Sequence, residues 1–280
     1  MPNIAFVNGR FMPLAKARVS VEDRGFQFGD GIYELIRTYG GRIFHIEDHL
    51  RRLDQSAEAL GLSIVYSKSR WKAILEKAHV RSGYPDAKLY IQITRGAAPR
   101  DHSFPKKNRP SVIITVRKLA PLSAQLHEKG AAVVTVPDLR WGRCDIKSIN
   151  LLPNIMARQK ARSAGAFEAL FVRDGLVLEG AGSNVFAVIG GRIVTPPNGP
   201  FILPGITRDV AIGLARGARD PVIEKGITVE DLLGAEEVFL TGTTTEILGV
   251  VKVDGKTIGD GRPGRTTRRL YRQFLQSTRP

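Results

Sequence analysis

The chain has 280 residues, a hydrophobic content of 42% and a formal net charge of +15, from 42 lysines and arginines against 27 aspartates and glutamates. Its length and composition are typical of a globular protein with one large domain or two modest ones. No run approaches the ~18 apolar residues of a membrane-spanning helix, a lone Cys144 excludes an internal disulfide framework, and a signal-peptide pattern is absent, so we expect a cytoplasmic protein.

Local patterns in the first part of the chain predict strands and helices in alternation. Asn8-Gly9 and Gly40-Gly41 are typical hairpin turns. Apolar residues at helical spacing predict one helix that ends at Gly61 and another that ends at Gly83. Strands are predicted over the segments AKLYIQITRG and SVIITVRK.

The second part is predicted to be richer in strands, which cover AAVVTVP, EALFVRDGLVLEG, NVFAVIGGRIVTP and EEVFLTG. Asp174-Gly175 and Gly190-Gly191 are further hairpin signals. Three helices are expected, over Pro153–Ala164, Thr207–Gly217 and Gly264–Gln276.

This order of elements favours an α+β fold over a doubly wound sheet. The segment KLAPLSAQ is short, contains a proline and follows the last strand of the first part, as a domain connector would. We therefore predict a small α/β domain over residues 1–117, a connector over 118–123 and a larger domain over 124–280.

Three explanations of the net charge stand open: nucleic-acid binding, binding of anionic substrates, or solubility without any partner. Part of the excess lies near the carboxyl terminus, at Arg265, Arg268, Arg269 and Arg272. Their helical spacing is typical of a solvated helix face, and no zinc-finger or RNA-binding motif accompanies it. We expect no nucleic-acid partner and no membrane partner. We also expect no metal site, because the five histidines and the cysteine lack metal-ligand spacing.

Several residues could take part in catalysis or binding, and each of them also has an ordinary structural explanation. Lys147, in RWGRCDIKSINLLPN, is either a surface charge or a reactive amine in an apolar context. Glu179 ends a strand before small residues and faces either a cofactor or solvent. Arg100 and His102 share one side of an extended stretch, where they form either a clamp for a carboxylate or a basic surface loop.

Two further segments suit an anion. Gly205 leads into Ile206 and Thr207 at a predicted helix start, where free N–H groups favour a phosphate, although Thr207 could serve only as an N-cap. The predicted strand FLTG runs into a threonine-rich turn that either aims donors at an anion or is a polar loop. The patterns of serine hydrolases and P-loop proteins are absent.

Seven motifs resemble those of one family and occur in the same order as in that family, over almost the whole chain. They are FGDGIYELI, HLRRLDQSA, TRGAAPRDH, RCDIKSINLL, EGAGSNVF, LPGITRDV and TGTTTEI. The sequence resembles the fold-type IV pyridoxal-phosphate aminotransferases, and most of all the D-amino-acid transaminases. The resemblance implies a small α/β amino-terminal domain, a larger strand-rich pseudo-barrel domain, pyridoxal 5'-phosphate as cofactor, and a homodimer with its active site at the subunit interface.

The resemblance also implies a role for each matched residue. Lys147 corresponds to the catalytic lysine that forms a Schiff base with the cofactor aldehyde, and Glu179 to the carboxylate that pairs with the pyridine nitrogen. The remaining cofactor contacts correspond to Arg52, Ile206, Thr207 and Thr243 at the phosphate and Leu203 on the ring. The substrate carboxylate corresponds to Tyr33, Arg100 and His102, of which the last two come from the neighbouring subunit.

The implied activity is ping-pong transamination of D-amino acids through Lys147, with 2-oxoglutarate or pyruvate as acceptor. The Arg-x-His pair resembles the D-amino-acid enzymes. A branched-chain L-amino-acid aminotransferase, an aminodeoxychorismate-lyase-like enzyme and, in a different class, a basic nucleic-acid-binding protein are the alternatives. The sequence departs from the D-enzymes at Ala181, Gly182 and Gly242, where small hydroxyl residues are usual, which puts the fine tuning of the cofactor in question.

Overall fold

The computed structural model describes residues 3–107 and 109–279. Their contacts divide them into two compact units, one of residues 3–120 with Ile146–Asn150 and the other of Pro121–Asp145 with Leu151–Arg279. The boundaries 1–117, 118–123 and 124–280 stay a prediction, and residues 1–2, 108 and 280 within them lie outside the described residues. Spacing along the chain does not reveal that residues 146–150 group with the first unit.

The first unit is built on a six-stranded antiparallel sheet with the order β2-β1-β6-β5-β3-β4. Its strands are β1 (Ile4–Val7), β2 (Arg10–Pro13), β3 (Gly31–Tyr39), β4 (Arg42–Ile43), β5 (Ala87–Thr94) and β6 (Ser111–Lys118). Its helices are α1 (Arg24–Phe28), α2 (Ile46–Ala59) and α3 (Lys68–Ser82), and a 3-10 turn covers Leu14–Lys16.

Helices α2 and α3 complete the core of the first unit by turning an apolar stripe towards the sheet. Leu50 and Leu53 of α2 and Trp71 and Leu75 of α3 are fully buried in one cluster with Ile91 of β5. Their spacing of three or four residues places each pair on one helix face. Each such side chain contributes about 1.5–3 kcal/mol to folding. The two predicted helices and their ends at Gly61 and Gly83 are confirmed to within two residues.

The second unit contains a ten-stranded mixed sheet with the order β12-β11-β10-β14-β15-β7-β8-β9-β13 and with β16 beside β15. Its strands are β7 (Ala131–Pro137), β8 (Glu168–Arg173), β9 (Leu176–Gly180), β10 (Asn184–Ile189), β11 (Arg192–Thr195), β12 (Val222–Glu224), β13 (Ile227–Thr228), β14 (Glu237–Gly242), β15 (Glu246–Val253) and β16 (Lys256–Thr257). Its helices are α4 (Ala124–Lys129), α5 (Leu152–Ser163), α6 (Ile206–Gly217), α7 (Val229–Leu233) and α8 (Arg265–Thr278).

The second sheet is curled. Strand β9 packs against β10, although β14, β15, β7 and β8 lie between them in the hydrogen-bonded order. Such a contact requires the sheet to bend back on itself, as strongly twisted sheets of many strands do. The α+β fold class, with a larger strand-rich second part, is therefore confirmed. No helix among residues 3–107 and 109–279 is long and apolar enough to cross a membrane.

The predicted hairpin turns are confirmed by their backbone conformation. Asn8 and Gly9 have φ angles of 48° and 94°, and Asp174 and Gly175 have 51° and 76°. Positive φ at both central residues is the geometry that matches the twist of paired strands. Helices α5, α6 and α8 begin and end within two residues of their predicted limits.

Several elements escape the sequence patterns, among them three short helices and strand β15. Helices α1, α4 and α7 have five or six residues, which is too short to display a helical period. Strand β15 lies in the middle of the second sheet. It begins at Glu246 with a φ of 57°, and Gly249 interrupts its apolar run, because a Cβ there would lie 2.8 Å from Pro263.

Candidate active site

Lys147 lies on a short segment that makes an isolated bridge to β3 in the first unit, between Ser148 and Ile32. The Tyr33 N–H donates to the Lys147 carbonyl at 2.9 Å, and the Lys147 N–H donates to the Ser56 hydroxyl at 3.1 Å. Ile146 is buried in the core of the first unit, and the Ser148 N–H donates to the Ile146 carbonyl at 2.8 Å, so the backbone turns tightly at Lys147. The Lys147 Nζ lies 4.2 Å from the centroid of the Tyr33 ring. The structure thus brings together two of the predicted site residues.

Arg52 pairs with a buried carboxylate that the sequence analysis did not single out. Its Nε and Nη2 donate to the two oxygens of Glu34 at 2.7 and 3.0 Å, and His49 Nδ1 lies 2.8 Å from Glu34 Oε2. Burial alone would raise the pKa of Glu34, but the charge of Arg52 and the hydrogen bonds from His49 and Arg52 hold that pKa far below its usual range. An ionised carboxylate only accepts, so His49 donates to it.

The setting of His49 disfavours its protonated form. Burial lowers the pKa of His49 below its ordinary value of 6.5, and the charges of Arg52 and Lys147 act in the same direction against the opposing attraction of Glu34. The Arg52 guanidinium is therefore oriented by the Glu34 carboxylate, which accepts hydrogen bonds from both Arg52 and His49. A signal for this network exists in the sequence, since Glu34 belongs to FGDGIYELI and His49 precedes Arg52 by three residues.

The Glu34 cluster predicts a specific dependence of stability on pH. Because folding lowers the pKa of Glu34, its contribution is present at neutral pH and is lost as the pH falls below its ordinary value of 4.5. The difference in free energy of unfolding between the native protein and Glu34→Gln, measured by denaturant titration, should shrink by about 2 kcal/mol between pH 6 and pH 3. Glu58→Gln, an exposed change on α2, should show no such trend. A difference for Glu34→Gln that stays constant over this range would contradict the assignment.

Arg100 and His102 lie on an exposed loop between β5 and β6. The Arg100 guanidinium is 4.5 Å from the centroid of the Phe28 ring, and the His102 ring meets the same ring edge-on at 5.6 Å. Among residues 3–107 and 109–279, no hydrogen bond or ring contact joins either side chain to Tyr33 or Lys147. The structure therefore places the predicted Arg-x-His pair together, but not against the other substrate-binding candidate of the same chain.

Glu179 is buried near the end of β9 in the second unit and is held by three donors. Its Oε2 accepts from the side-chain amide of Asn184 at 3.1 Å and from the Leu203 N–H at 3.0 Å. Its Oε1 accepts from Arg140 Nη1. The Asn184 amide also donates to the Leu203 carbonyl at 3.0 Å, so the backbone of Leu203 is fixed to the same carboxylate. These donors stabilise negative charge on Glu179.

Arg140 is a site residue that the sequence analysis missed. Its Nε donates to Asp138 at 2.8 Å, and its guanidinium lies 4.2 Å above the Phe171 ring. Burial disfavours its charge, but the hydrogen bonds to Asp138 and the charge of Glu179 outweigh burial and raise the pKa of Arg140. In the sequence, Arg140 lies three residues before a second arginine, and local pattern does not distinguish it from the exposed Arg143.

The other predicted anion-binding residues lie at the ends of two elements of the second unit. Ile206 and Thr207 are the buried first residues of α6, and no side chain of the described residues caps this helix. Helix α6 packs against β14, which leads through Gly242 into the turn that contains Thr243. At the end of that strand, the buried Thr241 hydroxyl has no hydrogen-bond partner within the described part of the chain.

The departures from the family pattern have different structural settings. A Cβ on Gly242 would lie 3.2 Å from the Gly182 carbonyl, so glycine lets the 243–245 turn approach this loop closely. A Cβ on Gly182 would meet only Glu168, at an ordinary 3.8 Å. The backbone N–H of Gly182 already donates to that buried carboxylate at 3.2 Å. Space therefore explains glycine at position 242, whereas nothing in the structure requires it at position 182.

Comparisons with known proteins place this geometry in a family. The model of the amino-transferase class IV family matches residues 31–253. A D-alanine aminotransferase of Bacillus licheniformis is 42% identical over 270 residues, which cover 96% of this chain and 95% of the relative. A D-alanine aminotransferase of Staphylococcus epidermidis is 42% identical over 275 residues, covering 97% and 98%.

Solved structures agree on the fold. A branched-chain amino acid aminotransferase from T.th., solved with pyridoxamine 5'-phosphate, matches with a TM-score of 0.92 and 29% identity, over 100% of this chain and 96% of that one. The branched-chain amino acid aminotransferase of Escherichia coli matches with a TM-score of 0.92 and 28% identity, over 99% and 94%. The fold is therefore that of the fold-type IV aminotransferases. The chain belongs to the amino-transferase class IV family, whose members use pyridoxal phosphate.

Proposed function

We propose that the protein transfers the amino group of a D-amino acid to a 2-oxo acid, with 2-oxoglutarate or pyruvate as acceptor. The observation that carries the proposal is the 42% identity to D-alanine aminotransferases over nearly the full chain, against 28–29% to the branched-chain enzymes that share the fold. The Arg100-Asp101-His102 sequence supports the same choice, because it matches the motif of the D-amino-acid enzymes.

The residues present fit pyridoxal phosphate. The buried Thr241 hydroxyl without a partner among the described residues, and the N-terminus of α6 without a side-chain cap, are donors of the kind that a phosphate satisfies. Arg52 adds a guanidinium oriented by Glu34, and guanidinium groups bind phosphate in a directed way. We assign the phosphate to Arg52, Ile206, Thr207 and Thr243.

We assign the ring to Glu179 and Leu203. When bound, pyridoxal phosphate draws electron density away from the substrate carbon that carries the amino group. Glu179, kept negative by Asn184, Leu203 and Arg140, would retain a proton on the ring nitrogen. Arg140 would thereby act through Glu179 as a positioning residue. Leu203 is fixed to the same carboxylate through its backbone, which leaves its side chain for packing on the ring.

Lys147 is the residue that we propose for proton transfer at the substrate α-carbon. A free lysine has a pKa of about 10.4 and would be protonated at neutral pH, so it must be neutral at the moment when Nζ takes the proton. Its backbone is fixed at both N–H and carbonyl, which restricts where Nζ can reach. We assign the substrate carboxylate to Tyr33 and, from a neighbouring protomer, to Arg100 and His102.

A panel of amino donors tests the proposed function. With 2-oxoglutarate as acceptor, kcat/KM for D-alanine should exceed that for L-alanine and L-leucine by about 100-fold or more, because one enantiomer misplaces the reacting bond. Preference for L-leucine would identify a branched-chain aminotransferase instead. Pyruvate release over many turnovers without an amino acceptor would identify a lyase, because the first half of a ping-pong transamination releases only one equivalent per active site.

We also propose that the protein is a homodimer. Leu152, Ile155 and Met156 of α5 are 67%, 61% and 59% exposed, and their spacing places them in one stripe on the helix. A contiguous apolar stripe on a helix is typical of a surface that another chain covers.

The stripe on α5 gives a testable prediction about assembly. Ile155→Glu should place a charge within a buried interface and shift the protein towards monomer, which sedimentation or light scattering would detect at micromolar concentration. Val80→Glu is the matched control, because Val80 is 77% exposed on α3 and stands alone. A protein that is dimeric with both changes would exclude α5 from the interface, and a monomeric native protein would exclude the dimer.

A further inference from the structure

The loop that contains Arg100 and His102 is held by a buried arginine on α1. Arg24 is 3% exposed. Its Nη1 donates to the Asp101 carbonyl at 2.5 Å, its Nη2 donates to the His102 carbonyl at 3.4 Å, and its Nε pairs with Asp30 at 2.8 Å. One guanidinium therefore joins the two backbone carbonyls of the loop to a fixed carboxylate.

The side chains of the loop rest on the last residue of the same helix. Phe28 has the Arg100 guanidinium 4.5 Å and the Arg24 guanidinium 4.8 Å from its ring centroid, and the His102 ring meets it edge-on at 5.6 Å. A guanidinium over an aromatic face is attracted by the negative charge density of the ring. Arg100 and His102, both otherwise exposed, thus share one aromatic support.

Helix α1 is itself fixed to the residues that directly follow β5 and lead to Arg100 and His102. The Arg24 N–H donates to the Gly96 carbonyl at 2.9 Å, and the Ala98 N–H donates to the Glu22 carbonyl at 3.1 Å. Arg95 also pairs with Asp30, at 2.8 Å. A Cβ on Gly25 would collide with the Thr94 side chain, so only glycine permits this approach of helix and strand. The support under the loop is consequently rigid.

We propose that Arg24 and Phe28 are positioning residues for recognition of the substrate carboxylate, because they fix the direction in which Arg100 and His102 point. The inference rests on the proposed function, in which these two side chains bind that carboxylate. An exposed arginine samples many rotamers, and fixing it beforehand removes that entropic cost from substrate binding. Neither Arg24 nor Phe28 needs to touch the substrate.

Two variants test the inference in the holoenzyme. Arg24→Lys keeps the positive charge beside Asp30 but lacks the fork that reaches two carbonyls, and Phe28→Leu keeps an apolar side chain without an aromatic face. Each should raise KM for D-alanine about tenfold, since substrate binding would then have to order Arg100 and His102. The inhibition constant of propionate, which offers the carboxylate alone, should rise by the same factor. Binding of pyridoxal phosphate should change little, although Arg24→Lys should lower the melting temperature somewhat, because it gives up contacts with two carbonyls.

Two controls separate the outcomes. Phe26→Leu makes the same change on the same helix at a side chain that is 74% exposed, and KM should not change. Arg100→Ala tests the proposed carboxylate trap itself. If Arg100→Ala raises both constants while Arg24→Lys and Phe28→Leu do not, the inference is overturned and the proposed function stands. If Arg100→Ala raises neither, the trap is wrong and the inference falls with it. Equal loss of cofactor binding and of substrate binding in both variants would also overturn the inference, since it marks a merely structural role.

Discussion

Lys147→Ala should lower kcat for D-alanine transamination by about 10⁴-fold, the largest effect that we expect from any single change. The amine Nζ has two proposed tasks, attachment of the cofactor and transfer of the α-carbon proton, and alanine can perform neither. The phosphate and ring contacts that we assign to Arg52, Thr207 and Glu179 are unchanged in the variant. Pyridoxal phosphate should therefore still bind, with a weaker dissociation constant measurable by its absorbance, while steady-state turnover is almost lost.

Lys252→Ala is the matched control, because Lys252 is exposed on β15 and has no assigned role. Reduction of the native holoenzyme with borohydride, followed by peptide mass mapping, gives an independent readout. The added mass should be found on the peptide that contains Lys147 and should be absent from that peptide in the variant. Turnover within tenfold of the native value in Lys147→Ala would show that another group moves the proton.

Local sequence pattern predicts the parts of this fold that local energetics determine. Hairpins at Asn8-Gly9 and Asp174-Gly175 follow from residues that tolerate positive φ, and α2 and α3 follow from apolar residues at helical spacing. Strand β15 could not be found in this way. Its place in the middle of the sheet depends on pairing with β14 on one side and β7 on the other, and distant pairing leaves no local signature.

In the candidate site, too, sequence motifs indicate some residues, whereas the contacts between distant residues leave no local signal. Family motifs single out Lys147 and Glu179, whose roles stay proposals, but they give no information about what surrounds each residue. The partners of Arg52 are Glu34 on β3 and, through it, His49, and the partner of Glu179 is Arg140, 39 positions earlier in the chain. Such networks depend on burial, because a charge becomes costly only where water is excluded. Sequence composition does not show which individual residues are buried.

Glu179→Gln should lower kcat about 100-fold or more, with a much smaller effect on KM. The change preserves the size of the side chain and one acceptor oxygen for Asn184 and Leu203, but it removes the negative charge that would retain a proton on the ring nitrogen. The proposed substrate contacts of Tyr33, Arg100 and His102 do not depend on that charge. The split between kcat and KM therefore distinguishes loss of ring activation from general damage to the site.

The contact between Arg140 and Glu179 affects how a loss of stability in Glu179→Gln is interpreted. In that variant the Arg140 charge is left with Asp138 as its carboxylate partner, so part of any stability loss comes from Arg140 rather than from the cofactor. Glu237→Gln is a matched control in the same unit, because Glu237 accepts from the Thr266 and Thr267 N–H groups at 2.9 and 2.8 Å at the start of α8. It should lower the melting temperature without lowering kcat. If Glu179→Gln and Glu237→Gln reduce stability equally and leave kcat equally intact, Glu179 has no role in ring activation, and its buried network with Arg140 is structural.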